Sequence, residues 1–281
     1  MKLIQFGQVI TAFITLANGL SFPDLTPDEE NRISGGSNDK IDKHTYVASL
    51  VRGPDIELFC GGILIAPQYV LTAGHCLDYS MTDVHVYIGS KYRLDEGPQE
   101  AEMIRAVEAY RHPLYHLSTD LMTATRDVAL IKLEKPCKIR PARLAPADGS
   151  ENESDALATT IGWGLVNNET LSDTLQTTDV EIFPNKKCAN AAANTTVDDS
   201  VICAGNGNAK DYCAITGGGP LLVTDMVVGV MSVDLEDCGV LLGTYTRVSK
   251  SLGFINDILH GGSSKNATDR LTANTSIIPE F

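Results

Sequence analysis

Three stretches of this chain gather the residue types that move protons or make bonds. They are Thr72-Ala73-Gly74-His75-Cys76, Asp127-Val128-Ala129-Leu130 and Asp211-x-Cys213-x-x-x-Gly217-Gly218-Gly219-Pro220. An imidazole and carboxylates are the parts of general acid–base catalysis, but these lie far apart in sequence and can act together only if a fold assembles them. One hydroxyl, Thr216, stands immediately before Gly217. Seven cysteines complete the reactive inventory. No Cys-x-x-Cys occurs, so metal or redox spacing is absent and no cofactor is implied.

Positioning those stretches falls to short apolar or alternating runs between turn residues: Tyr46 to Leu50, Gly62 to Ile65, Val84 to Ile88, Val128 to Leu133, Leu157 to Ile161, Val180 to Ile182, Leu221 to Val223, Val227 to Val233 and Thr244 to Val248. Many short strands at close spacing mean an all-β sandwich or barrel. A helical period comes late, where Leu252, Ile255 and Leu259 share a face before Gly261 and Gly262 stop it. Residues 261–281 are rich in Ser, Thr and Asn and read as a polar, disordered tail.

With 281 residues, 43% hydrophobic and 21% charged, the chain is long and apolar enough to bury a core. After the amino-terminus there is no run of about eighteen apolar residues, which excludes a membrane span in the body of the chain. Against 36 Asp+Glu stand 22 Lys+Arg, and a net charge of −14 argues against a nucleic-acid surface. Lys2, the apolar stretch Val9 to Leu16 and the small residues of Ala17-Asn18-Gly19 make residues 1–19 a secretory signal. A buried amino-terminal helix is the competing reading, disfavoured by the short run and the acidic Pro23 to Glu30 that follows. Glycosylation sequons at Asn152, Asn168, Asn194, Asn266 and Asn274 agree with export to the extracellular space. In an exported chain, seven cysteines read as disulfides with one leftover thiol.

In order and spacing, the three stretches resemble the chymotrypsin/trypsin-type serine proteases. Supporting matches are Arg32-Ile33-Ser34-Gly35-Gly36 as an activation site, Cys60-Gly61-Gly62, Gly162-Trp163-Gly164 and Gly243-Thr244-Tyr245-Thr246-Arg247-Val248. The resemblance implies an all-β fold of two six-stranded antiparallel β-barrels with a C-terminal helix, the site lying in the cleft between the barrels. It divides the chain into a pro-segment at 20–32, cleaved between Arg32 and Ile33, and a protease-homology domain at 33–260. It implies disulfides Cys60–Cys76, Cys188–Cys203 and Cys213–Cys238, leaving Cys137 either buried as a free thiol or joined to another molecule.

By the same resemblance His75 is the general base and Asp127 the acid that orients it, in a mechanism where a Ser hydroxyl attacks and backbone amides hold the oxyanion. The nucleophile departs from the pattern: where the family reads Gly-Asp-Ser-Gly-Gly-Pro, this chain reads Ile215-Thr216-Gly217-Gly218-Gly219-Pro220. Gly217 has no side chain to attack with. Ile215 replaces the glycine that supplies an oxyanion amide, and a β-branched residue avoids positive φ. Losing one such donor costs roughly a hundredfold to a thousandfold. Thr216 replaces the Asp that receives the new ammonium of Ile33, so the activation switch is expected to be broken. The specificity pocket implied is Asp211, Ser232, Asp234 and Gly243; there Ser232-Val233-Asp234 replaces Ser-Trp-Gly, and Asp234 is either a second pocket carboxylate or an ordinary solvated acid. His75 and Asp127 are then a retained hydrogen-bonded pair or a working one.

Three function classes follow. A secreted pseudoprotease acts by binding another protein; an active endopeptidase uses Thr216, provided its hydroxyl reaches His75; a passive glycosylated scaffold has no tight partner. The broken triad favours the first. Within it the chain resembles the secreted oomycete glucanase inhibitor proteins, a resemblance that implies a plant endo-β-1,3-glucanase as protein partner, with neither nucleic acid nor membrane involved.

Overall fold

The computed structural model describes residues 43–53, 57–93, 101–118, 123–150, 154–166, 170–191, 197–205, 217–234 and 243–263. The signal, the pro-segment, the Arg32–Ile33 bond, the tail beyond residue 263 and all five sequon asparagines lie outside the described residues.

Six strands of the first half are β1 (Val47–Arg52), β2 (Glu57–Ala66), β3 (Tyr69–Thr72), β4 (Val84–Ile88), β5 (Glu102–Arg111) and β6 (Ala129–Leu133). They close into an antiparallel barrel in the order β1-β2-β3-β6-β5-β4. Six more are β7 (Leu157–Gly162), β8 (Gln176–Phe183), β9 (Val201–Gly205), β10 (Pro220–Val223), β11 (Met226–Asp234) and β12 (Gly243–Arg247). Their pairings close as β7-β8-β9-β12-β11-β10, the same cyclic order as the first barrel, and Arg143–Leu144 adds a short parallel strand against β11. Closure removes the exposed sheet edges that would otherwise invite pairing with other chains.

The apolar runs of the sequence fall on strands, but β3, β5 and β9 are absent from them. Strand β5 shows why: Glu102, Arg105, Glu108 and Arg111 put a charge at every third position, which hides a period of two. A register shift between Ala106 and Glu108 changes the phase of the alternation, so Ile104 and Ala106 point inward before it and Ala109 after it. At the tight crossing of β1, β2 and β3, a Cβ on Gly62 would lie 2.6 Å from Val70 Cγ1, so only glycine lets the strands approach.

One apolar cluster fills the first barrel and continues through Trp163, Leu175, Leu222, Val227 and Val230 to Val248, Ile255 and Ile258. A smaller cluster of Ala158, Val180, Ile182, Ile202, Leu221, Val228, Met231 and Tyr245 fills the second barrel. The seam between barrels is therefore apolar and continuous with the first core. Polar contacts fix its register: Trp163 Nε1 donates to Lys91 O at 3.2 Å, and Leu175 N to the same carbonyl at 2.6 Å. The C-terminal helix Leu252–Leu259 buries Ile255 and Ile258. Among the described residues no helix is long and apolar enough to cross a membrane.

Candidate functional site

His75 stands on a 3-10 turn, Gly74–Asp78, that follows β3. Its backbone N–H donates to Asp127 Oδ1 at 2.7 Å and its Nδ1 pairs with Asp127 Oδ2 at 2.7 Å. Turn and ring thus grip opposite oxygens of one carboxylate. Gly74 permits the approach, because a Cβ there would come within 3.0 Å of Asp127 Oδ1 and 3.1 Å of Val128 N.

Asp127 precedes β6 and its side chain is fully buried. Buried carboxylates persist where hydrogen bonds replace water, and here the second barrel supplies them. Ser232 on β11 donates its hydroxyl to Asp127 Oδ2 at 2.5 Å, and Thr246 on β12 donates to the Asp127 carbonyl at 2.8 Å. A first-barrel acid is therefore steadied by two second-barrel hydroxyls, and docking of the barrels completes its hydrogen bonding. With Nδ1–H committed to the carboxylate, Nε2 is the nitrogen left to accept a proton.

What faces Nε2 is main chain. Gly217 leads into β10, its carbonyl accepts from Gly61 N at 2.8 Å, and a Cβ built on it would lie 2.6 Å from His75 Nε2 and 2.9 Å from Cε1. Gly218 has φ +92°, and a Cβ on it would collide with Gly61 O and Thr72 Oγ1. The strand end is thus pressed against β2 and β3 with the imidazole closed down on Gly217. An oriented proton acceptor is present, and the residue it faces carries no group to deprotonate.

Cys60 and Cys76 form a disulfide that ties β2 to the His75 turn. Both sulfurs lie near His75, but a disulfide offers no thiolate, so the three side chains make no metal site. Cys203 is also disulfide-bonded, and Cys137 is free and buried. Burial, with Glu102 Oε1 at 3.4 Å from Sγ, pushes the Cys137 thiol up to about 11. Asp211, Cys213, Ile215, Thr216 and Cys238 lie outside the described residues, as does the side chain of Cys188. At the implied pocket, Asp234 pairs in register with Gly243 while Ser232 turns to Asp127.

Sequence reasoning missed the second-barrel support of Asp127. It placed Ser232 only in the pocket, and it quoted Thr246 within a motif without a task. It also missed Tyr115, which packs 3.0 Å from the Cβ position of Gly74, donates to Asp78 Oδ2 at 3.2 Å and lies under Arg111 at 4.8 Å.

A family model described as Trypsin matches residues 33–255. The chain belongs to the trypsin family. Among family members, Glucanase inhibitor protein 3 of Phytophthora infestans is 32% identical, the match covering 90% of this chain and 99% of that one. Glucanase inhibitor protein 3 of Phytophthora sojae is 30% identical, with 90% and 99% covered. Human Kallikrein-8 is also 30% identical, over 82% of this chain and 88% of its own. Of solved structures, neuropsin, a serine protease expressed in the limbic system of mouse brain, superposes with a TM-score of 0.70 at 26% identity, covering 80% of this chain and 98% of that one. The trypsin-type double barrel is the common frame, and proteins named inhibitors and proteins named proteases both use it.

Proposed function

We propose that this trypsin-family chain is a secreted, catalytically inactive homologue that acts by binding a protein, with extracellular plant endo-β-1,3-glucanases as the partner it inhibits. The observation that carries the reading is Gly217 packed against His75 Nε2, where the family's catalysis needs a hydroxyl. In this reading His75, Asp127 and Gly217 are the remnants of the triad, Ile215 and Thr216 a lost oxyanion turn and activation switch, and Asp211 a vestige of the pocket. Relatives named glucanase inhibitors, matched over nearly their whole length, support the inhibitor function and the export that goes with it. Loops mounted on two closed barrels suit recognition whether or not chemistry survives.

Active-site titration of the mature chain with a serine-directed phosphonate tests the inactivity. No labelling is expected; stoichiometric labelling would overturn it, and labelling at Thr216 would establish an active peptidase with an unusual nucleophile. Inhibition assays against basic and acidic endo-β-1,3-glucanases at two salt concentrations test the partner. From Ile33 onward the chain carries 20 basic and 32 acidic residues, a net −12. Association with a basic glucanase is therefore expected to be faster and to slow as salt rises. Failure to inhibit any glucanase at micromolar protein removes that partner and leaves the inactivity standing.

A further inference from the structure

Away from the His75 cluster, the segment leading into β1, the segment before the Arg143–Leu144 strand and the β10–β11 turn line a cavity of about 290 Å³. In a chain of net charge −14, this cavity gathers Lys43, Arg140 and Arg143, with Asp225 the single carboxylate among the described residues that line it. Among the described residues, none of these three cations is joined to a carboxylate, and what sets them apart is that they face one depression together. The three cations and Asp225 are exposed around one half-open depression, an arrangement that attracts an anion, and guanidinium groups suit the planar or tetrahedral oxygens of an oxyanion.

Two further features mark the cavity as built. Thr224 and Asp225 both adopt positive φ, 47° and 61°, as a two-residue hairpin turn demands. Neither is glycine, and threonine is β-branched, so the turn that brings Asp225 to the cavity is strained in the way that functional positions often are. Tyr46 also lines the cavity, buried, with its hydroxyl 2.8 Å from His44 Nδ1. Burial and then the nearby Asp225 push its ionisation far up, so the hydroxyl stays protonated.

The cavity is remote from the cleft. Asp225 lies at the turn of the β10–β11 hairpin, and Gly217 and Ser232 lie at its other end. From Met226 to Ser232 the strand runs about 20 Å at ~3.3 Å per residue.

We infer that this cavity binds a small ligand that joins an oxyanion head to a hydroxylated body, of the sugar phosphate class. Lys43, Arg140 and Arg143 hold the oxyanion, and Asp225 accepts a hydrogen bond from a hydroxyl. The volume argues for the body: about 290 Å³ is more than a bare phosphate fills. The inference is independent of the inhibitor reading.

Calorimetric titration of the full mature chain with glucose 6-phosphate, inorganic phosphate and glucose tests it. One saturable site for glucose 6-phosphate is expected, with phosphate and glucose each bound at least about tenfold more weakly. Replacing both arginines, Arg140→Gln with Arg143→Gln, is expected to weaken glucose 6-phosphate at least about tenfold while the thermal unfolding midpoint stays put. Asp225→Asn, which tolerates the left-handed turn, is expected to strengthen inorganic phosphate binding by removing a like charge and to narrow the preference for the sugar phosphate, since an amide oxygen accepts more weakly than a carboxylate. If the double variant does not fold, Lys43→Gln at an exposed position and the loss of affinity with added salt provide the same reading. No saturable binding of any of the three, or undiminished binding without the arginines, overturns the site. Equal affinity for phosphate and glucose 6-phosphate overturns the ligand class.

Discussion

The imidazole of His75 stands so close to the α-carbon of Gly217 that the smallest side chain would meet Nε2 at 2.6 Å. That separation is shorter than a carbon and a nitrogen tolerate, and the ring cannot retreat freely because Asp127 holds both its Nδ1 and the backbone N–H of its turn. The site has therefore closed over the position where a family nucleophile would stand.

Gly217→Ser alone is expected to leave the protein without measurable cleavage after Arg or Lys. The new Cβ displaces His75 from its line toward Asp127, and Ile215 and Thr216 still stand where the family has Gly and Asp. Restoring Gly, Asp and Ser together at 215–217 is the meaningful test, read as kcat/KM on a peptide ester. Ordinary trypsin-like turnover by the single variant would show that the ring moves aside at no cost.

Gly217→Ala isolates the steric part. Overpacking a closed site costs roughly 1–3 kcal/mol, and chemical denaturation is expected to show a loss in that range with an unchanged slope. A neutral outcome would mean that His75 swings clear.

Ser232→Ala removes the hydroxyl that the second barrel gives to the buried carboxylate. A hydrogen bond to a charged group contributes about 1.5–3 kcal/mol, so a destabilisation of that order is expected in chemical denaturation. Stability equal to wild type would mean that water replaces the hydroxyl.

His112 gives a pH signature. Burial first, and then the Arg126 charge, lower its pKa to about 4. Its Nδ1 accepts from Leu114 N at 3.1 Å and its ring meets Phe254 edge-on at 5.0 Å. A depressed folded-state pKa means that the unfolded chain binds the proton more tightly. The stability contribution is then complete above about 6.5 and is lost as pH falls toward 4. Denaturation midpoints between pH 7 and 4 are expected to fall less steeply for His112→Gln than for wild type; parallel profiles would refute the assignment.

Cys137 is expected to resist alkylation in the native protein at neutral pH, since its thiol titrates near 11 and is buried. Denaturation without reductant is expected to release one reactive thiol, located at Cys137 by mass mapping. A second reactive cysteine, or Cys137 found in a bridge, would contradict the disulfide scheme.

Much of this was legible in the sequence because the family's motifs are local and carry their own spacing. His75, Asp127 and Gly217 sit in short signatures, and alternating apolar runs marked most barrel strands. What escaped depends on contacts distant in sequence. Ser232 and Thr246 reach Asp127 from 105 and 119 residues away, and no local pattern announces such a bond. Strand β5 escaped because its bulge and its charges disguise the alternation. The crowding of His75 on Gly217 was likewise invisible, since a sequence shows a missing side chain without showing what moved into its space.

Ile255 and Ile258, near the end of the described chain, belong to the cluster that fills the first barrel, and Phe254 rests on His112 of that same half. The first half is therefore clasped by a helix that follows the second barrel. On the ribosome the first barrel emerges before the second barrel and before these side chains, so part of its apolar surface is covered only once the helix docks. Truncation before Leu252 is expected to expose the first half to protease sooner than the second, although the cut is made beyond the second barrel.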